Sequence, residues 1–173
     1  MIRAIRALIA VFVVCVVASC GGGDSTKSSK LKGYSGPPVT QIAVKKGERK
    51  MYLISGKTVI KSYEIDLGRQ PVGSKQYEGD GRTPEGLYFI DRFNPNSRYH
   101  LSVGISYPSV QDVARAAALG LRPGGDIFIH GLGPEGRALN KPDWTAGCIA
   151  VTDEEIEEIF AMLRPGVPIF IYP

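Results

Sequence analysis

Histidine and cysteine are scarce in this chain: two histidines (His100 and His130) and three cysteines (Cys15, Cys20 and Cys148) among 173 residues. So small a stock of imidazole and thiolate does not form a spaced ligand set, which disfavours metal catalysis. Nothing calls for a cofactor, since Gly124-Gly125 lacks the lysine and serine spacing of a phosphate loop and reads as a turn. Charge of one sign is lacking too, with 21 basic against 17 acidic side chains. No basic run with interleaved aromatics occurs, so nucleic acid is not an expected partner. The apolar run over residues 7–17 is too short to be read as a membrane-spanning helix.

That apolar run fits a secretory signal better. Arg3 and Arg6 precede it without an acid, and Val17-Ala18-Ser19-Cys20 closes it. The ending resembles the lipobox of bacterial lipoproteins, which implies a signal over residues 1–19 and lipid attached to Cys20. Membrane contact would then come through that lipid. Gly21, rather than aspartate, resembles the pattern of lipoproteins forwarded to an outer membrane, so a periplasmic, outer-membrane location is expected. An ordinary signal with a chance cysteine is the alternative. Loss of Arg3 and Arg6 leaves 19 basic and 17 acidic side chains, a net charge of +2. Residues 20–38 are mostly glycine, serine, lysine and proline, and read as a lipidated tether. Residues 39–173 suffice for one domain with its own core.

Within that domain, period-two alternation predicts strands over residues 41–45, 49–54 and 58–67, joined by turns short enough for an antiparallel meander. Residues 68–86 are rich in glycine and read as a long loop, with strands resuming at 87–91 and 101–105. An alanine-rich helix is expected over 110–119, ended by Gly120. Residues 126–129 read as a buried strand. A second helix opens at Thr152, with Glu155 three residues on as in a capping box, and stops at Gly166 before a last strand over 167–172. The expected class is mainly β with two short helices.

Cys148 carries most of the functional signal. Once Cys15 leaves with the signal and Cys20 takes lipid, it is the single free thiol of an exported chain, and no internal disulfide is possible. It follows Trp144-Thr145-Ala146-Gly147, and the apolar run before it ends in His130-Gly131. A thiol reacts as thiolate, and an imidazole can take its proton. A buried, inert cysteine is the plainer alternative. Residue chemistry alone points to a cysteine acyl transferase or hydrolase.

Residues 41–173 resemble the L,D-transpeptidase catalytic domain of the YkuD type. The matching pieces are the opening strands, the stretch Gly79-Asp80-Gly81-Arg82-Thr83-Pro84-Glu85-Gly86, Ile129-His130-Gly131, and Gly147-Cys148-Ile149. The resemblance implies a β-sandwich, a cysteine that attacks a peptidoglycan stem peptide, and a thioester intermediate. Carried onto this chain, Cys148 is the nucleophile, His130 the base, and the Gly131 main chain the partner that orients the imidazole. Backbone amides near Gly147 and Cys148 are the natural oxyanion donors. The donor would be a tetrapeptide stem cut after the diamino acid at its third position. The acceptor amine would come from another stem or from a lysine of a wall-attached lipoprotein.

Where the family has serine before the glycine and arginine after the aliphatic residue, this chain has Thr145 and Ala150. The missing guanidinium would suit a carboxylate. Alanine at this position, with tryptophan before the motif, resembles a branch that includes hydrolytic members, so peptidoglycan hydrolysis competes with transfer. A silent wall-binding lipoprotein is a third reading. Trp144 and Tyr107 could stack along the substrate or simply fill space. His100 could line the cleft or serve packing, and Arg82 could meet a substrate carboxylate or stay solvated.

Overall fold

The structure is a computed structural model that describes residues 31–173. The expected signal with Cys15, the expected lipidation site Cys20 and most of the expected tether lie outside the described residues. The end of the tether lies on the domain: Lys32 pairs with Glu157 at 3.1 Å, and Tyr34 packs partly buried against the core. Among the described residues no helix is long and apolar enough to cross a membrane.

The first three strands, β1 (Gln41–Lys45), β2 (Lys50–Ser55) and β3 (Thr58–Glu64), pair as consecutive antiparallel hairpins. Their alternation drives this: Ile42 and Val44 of β1, and Met51 and Leu53 of β2, are buried, while the residues between them are not. The chain continues through β4 (Gly86–Asn94), β5 (Ser102–Ile105), α1 (Val110–Ala118), β6 (Phe128–His130) and α2 (Gly133–Leu139). It ends in β7 (Ile149–Ala150), α3 (Asp153–Met162) and β8 (Pro168–Tyr172).

The eight strands among the described residues join one sheet in the order β3-β2-β1-β8-β4-β5-β6-β7. The last strand inserts into the middle, parallel to β1 and antiparallel to β4. Pairing shifts between Ile90 and Arg92, so β4 joins one half of the sheet to the other. The curl brings the segment after β3 back to β7, where Asp66 and Ala150 exchange two backbone hydrogen bonds of 2.9 Å. Between the halves lies one apolar cluster that includes Leu53, Ile90, Ile129, Ile149 and Ile169. Burying each such side chain contributes about 1.5–3 kcal/mol. The mainly β expectation holds.

Helix α3 starts as its sequence requires: the Thr152 hydroxyl accepts the Glu155 amide, and the Glu155 carboxylate accepts the Thr152 amide. Ser109 and Asp112 make the same box on α1, and Gly120 follows it at φ +69°. Among the described residues three helices form rather than the expected two. The extra one, α2, opens in Gly133-Pro134-Glu135-Gly136, where two glycines and a proline mask the helical pattern. Its glycines are there for close approach: a Cβ on Gly133 would lie 2.7 Å from the Arg98 carbonyl, and one on Gly136 would lie 2.7 Å from the Trp144 ring.

Candidate active site

Parallel pairing of β6 with β7 sets Ile129 against Ile149 and His130 against Ala150. One step back, the same register puts Cys148 beside Phe128. Because side chains alternate across a sheet, Cys148 and His130 then share a face. Both open onto one cleft of about 360 Å³, walled by Asn94, Arg98, Tyr99, Asp126 and Phe128.

The loop into Cys148 is tightly held. Arg49 clamps the Asp143 carboxylate with two nitrogens, at 3.0 and 2.7 Å, and Asp143 also accepts the Leu67 amide at 3.0 Å. Thr145 donates its hydroxyl to the Cys148 carbonyl at 2.8 Å and accepts the Gly147 amide at 3.1 Å. Gly147 adopts φ +140°, and a Cβ there would stand 2.7 Å from the Arg82 carbonyl, so a side chain is excluded twice over.

The Cys148 thiol is half-buried; it donates to the Asp126 carbonyl at 3.5 Å and accepts the Phe128 amide at 3.4 Å. Burial pushes its pKa up; the Phe128 amide opposes this, and the Asp126 charge adds to it. His130 is 3% exposed, and burial pulls its pKa below the ordinary value, opposed by its bond to Gly131. Nδ1 of His130 lies 2.6 Å from the Gly131 carbonyl, which fixes Nδ1–H as the donor and leaves Nε2 as the basic nitrogen. Burial thus disfavours the charged form of each group.

Two aromatic rings hold the imidazole. Tyr99 stacks on it at 4.5 Å, and Trp144 meets it edge-on at 5.6 Å. Tyr99 escaped the sequence reading because the tract Ser97-Arg98-Tyr99-His100 carries no period. Its neighbour His100 lies outside the cleft lining; it sits at φ +73° with Nε2 2.8 Å from the Glu157 carboxylate. Tyr107 is buried against Tyr88, with its hydroxyl donating to the Pro123 carbonyl at 2.9 Å, so it packs rather than lines the cleft. Arg82 touches the site through its carbonyl, and its Nε is buried without a partner. Trp144 also borders a second cavity, of about 400 Å³, floored by Gly136. Among the described residues no group of three His, Cys, Asp or Glu side chains could hold a metal ion.

The structure is thus a curled, mainly β domain that brings one cysteine and one histidine to a shared cleft. The chain belongs to the L,D-transpeptidase catalytic domain family (YkuD), whose model matches residues 40–171. Enzymes of this family act on peptidoglycan stem peptides in the bacterial envelope. YafK of Escherichia coli (strain K12), provisionally assigned as an L,D-transpeptidase, is 30% identical over 190 residues, covering 99% of this chain and 71% of its own. Among solved structures, the helical cell shape determining protein Pgp2 from Campylobacter jejuni aligns at a TM-score of 0.61 with 24% identity. Bd1075 from Bdellovibrio bacteriovorus aligns at 0.55 with 22% identity. The alignments cover 84% and 83% of this chain but 51% of each of those, so the chain spans about half their length.

Proposed function

We propose that the protein is a peptidoglycan L,D-transpeptidase working through a thioester on Cys148. Nε2 of His130 takes the thiol proton as sulfur attacks the carbonyl of the third stem residue. The carbon–nitrogen bond to the terminal D-alanine then breaks, and the imidazolium returns its proton to the leaving amine. An acceptor amine attacks the thioester next, loses its proton to His130, and releases Cys148. Main-chain amides around Gly147 and Cys148 face the developing oxyanion. Cys20 would carry lipid and hold the domain to a membrane in the envelope, the outer membrane being favoured.

One observation carries this reading. Sulfur and imidazole open on the same cleft, and the Gly131 carbonyl commits Nδ1 so that Nε2 is the basic nitrogen. A resting thiol with a raised pKa beside an imidazole with a lowered one fits a pair that exchanges its proton only when substrate arrives.

A second reading is hydrolysis by the same pair, with water replacing the amine. Ala150 favours it: the position that carries arginine in the common motif is an alanine paired with Asp66, so no guanidinium orients an acceptor from there. Digestion of peptidoglycan after exposure to the protein separates the two. New dimers linked between third residues, or protein joined to stems through lysine, support transfer. Shortened stems with crosslinks or attached protein lost support hydrolysis.

A further inference from the structure

The acyl-transfer steps leave two charged residues of the catalytic cleft unused. Arg98 belongs to the wall that holds the ring: its guanidinium lies 5.4 Å over the Tyr99 ring, which stacks on His130. Asp126 belongs to the wall that holds the sulfur, because its own carbonyl accepts the Cys148 thiol. Both line the cleft with Cys148 and His130.

Neither charge is locked away. Arg98 pairs with Glu135 of α2, but the two side chains are 69% and 47% exposed, and such pairs are weak. Asp126 is 88% exposed, with Oδ1 on Arg92 at 3.0 Å. Only Nη2 of the Arg98 guanidinium is engaged by Glu135, and a carboxylate holds about four lone-pair sites, so both retain capacity for a ligand. Asp126 sits at φ +55°, a left-handed backbone that aspartate tolerates better than most side chains.

We propose that Arg98 and Asp126 read the zwitterionic end of a diamino acid at the third stem position, Arg98 taking its carboxylate and Asp126 its ammonium. This rests on the acyl-transfer reading above and adds what that reading leaves open, namely how the donor is chosen. A side chain bearing both charges on one carbon matches a cleft that presents opposite charges from its two walls. It also explains how the site manages with alanine at position 150: the carboxylate-binding guanidinium comes from the loop between β4 and β5. Ammonium binding at Asp126 would in addition offset a negative charge that adds to the effect of burial in raising the Cys148 thiol's pKa.

The test uses the full-length protein and three synthetic stem tetrapeptides. Their third residues are diaminopimelate, its side-chain carboxamide, and lysine. For the native protein, KM should rise about tenfold on going from diaminopimelate to either of the others, with a smaller change in kcat. Arg98→Ala should raise KM for diaminopimelate to the same level and erase the discrimination, and Arg98→Lys should restore part of it. Asp126→Asn, which keeps the backbone preference, should raise KM for all three donors alike. Equal kcat/KM for the three donors, or discrimination that survives Arg98→Ala, overturns the assignment while acyl transfer stands. Absence of both a carbapenem adduct and turnover in the native protein overturns acyl transfer and this assignment together.

Discussion

His130 and Tyr99 lie face to face, 4.5 Å between ring centroids and 25° between planes. With Nδ1 committed to Gly131, this stack fixes the direction in which Nε2 can reach. Replacing Tyr99 by leucine keeps bulk but removes the stack, which is worth about 0.5–1.5 kcal/mol in such pairs. The expected result is a fall in kcat/KM of about twofold to tenfold, with Tm lowered by no more than a few degrees. Tyr99→Phe should retain nearly full activity.

Gly147→Ala should be more damaging. The new methyl would stand 2.7 Å from the Arg82 carbonyl, in a backbone region that side chains rarely adopt. Strain of this kind costs about 1–3 kcal/mol. For a domain of this size that is a loss of several degrees in Tm, measurable by differential scanning fluorimetry. Turnover should drop further than stability, because the shift falls on the residue next to the sulfur.

Lys75 and Asp80 form an ion pair that is 4% and 3% exposed, and Asp80 also accepts the amides of Gln76 and Arg82 at 2.6 and 3.0 Å. This pair organises the loop that presses the Arg82 carbonyl against Gly147. Asp80→Ala strands a buried ammonium and should cost about 3–5 kcal/mol. Lys75→Met combined with Asp80→Leu should cost less than Asp80→Ala alone, which denaturant titration of the two variants beside the native protein will show.

The pH dependence of stability follows from the two titratable groups of the proposed catalytic pair. His130 titrates lower when folded than when unfolded, so the unfolded chain binds the extra proton first and stability falls as pH drops below about 6.5. Cys148 titrates higher when folded, so the unfolded chain loses its proton first and stability falls as pH rises above about 8.5. Denaturation midpoints between pH 5 and 10 should peak in the intervening window. Cys148→Ala should flatten the alkaline limb. Alkylation of the free protein by iodoacetamide should climb with pH into the alkaline range; a rate plateau near pH 6 would mean a preformed thiolate–imidazolium pair instead.

Much of this arrangement is legible in the residues. The first three strands pair in the order they are read because short turns leave a hairpin as the nearest partner, and α3 declares itself through Thr152 and Glu155. Insertion of β8 between β1 and β4 is not legible, since long-range pairing leaves no local periodicity. Helix α2 is hidden by glycines that serve contact rather than flexibility. The site divides in the same way. Cys148, His130 and Gly131 carry local motifs, whereas Tyr99, Arg98 and Asp126 reach the cleft because β5, β6 and β7 lie side by side in the sheet. Tyr107 and His100 were plausible cleft residues until the fold committed them to Pro123 and Glu157.

The central claim is that Cys148 is a nucleophile which takes an acyl group in a cleft it shares with His130. Intact-protein mass spectrometry after incubation with a carbapenem tests it most directly. The native protein should gain a single drug mass, Cys148→Ala none, and His130→Ala the same mass much more slowly. An unmodified native protein, or an adduct that persists in Cys148→Ala, would contradict it.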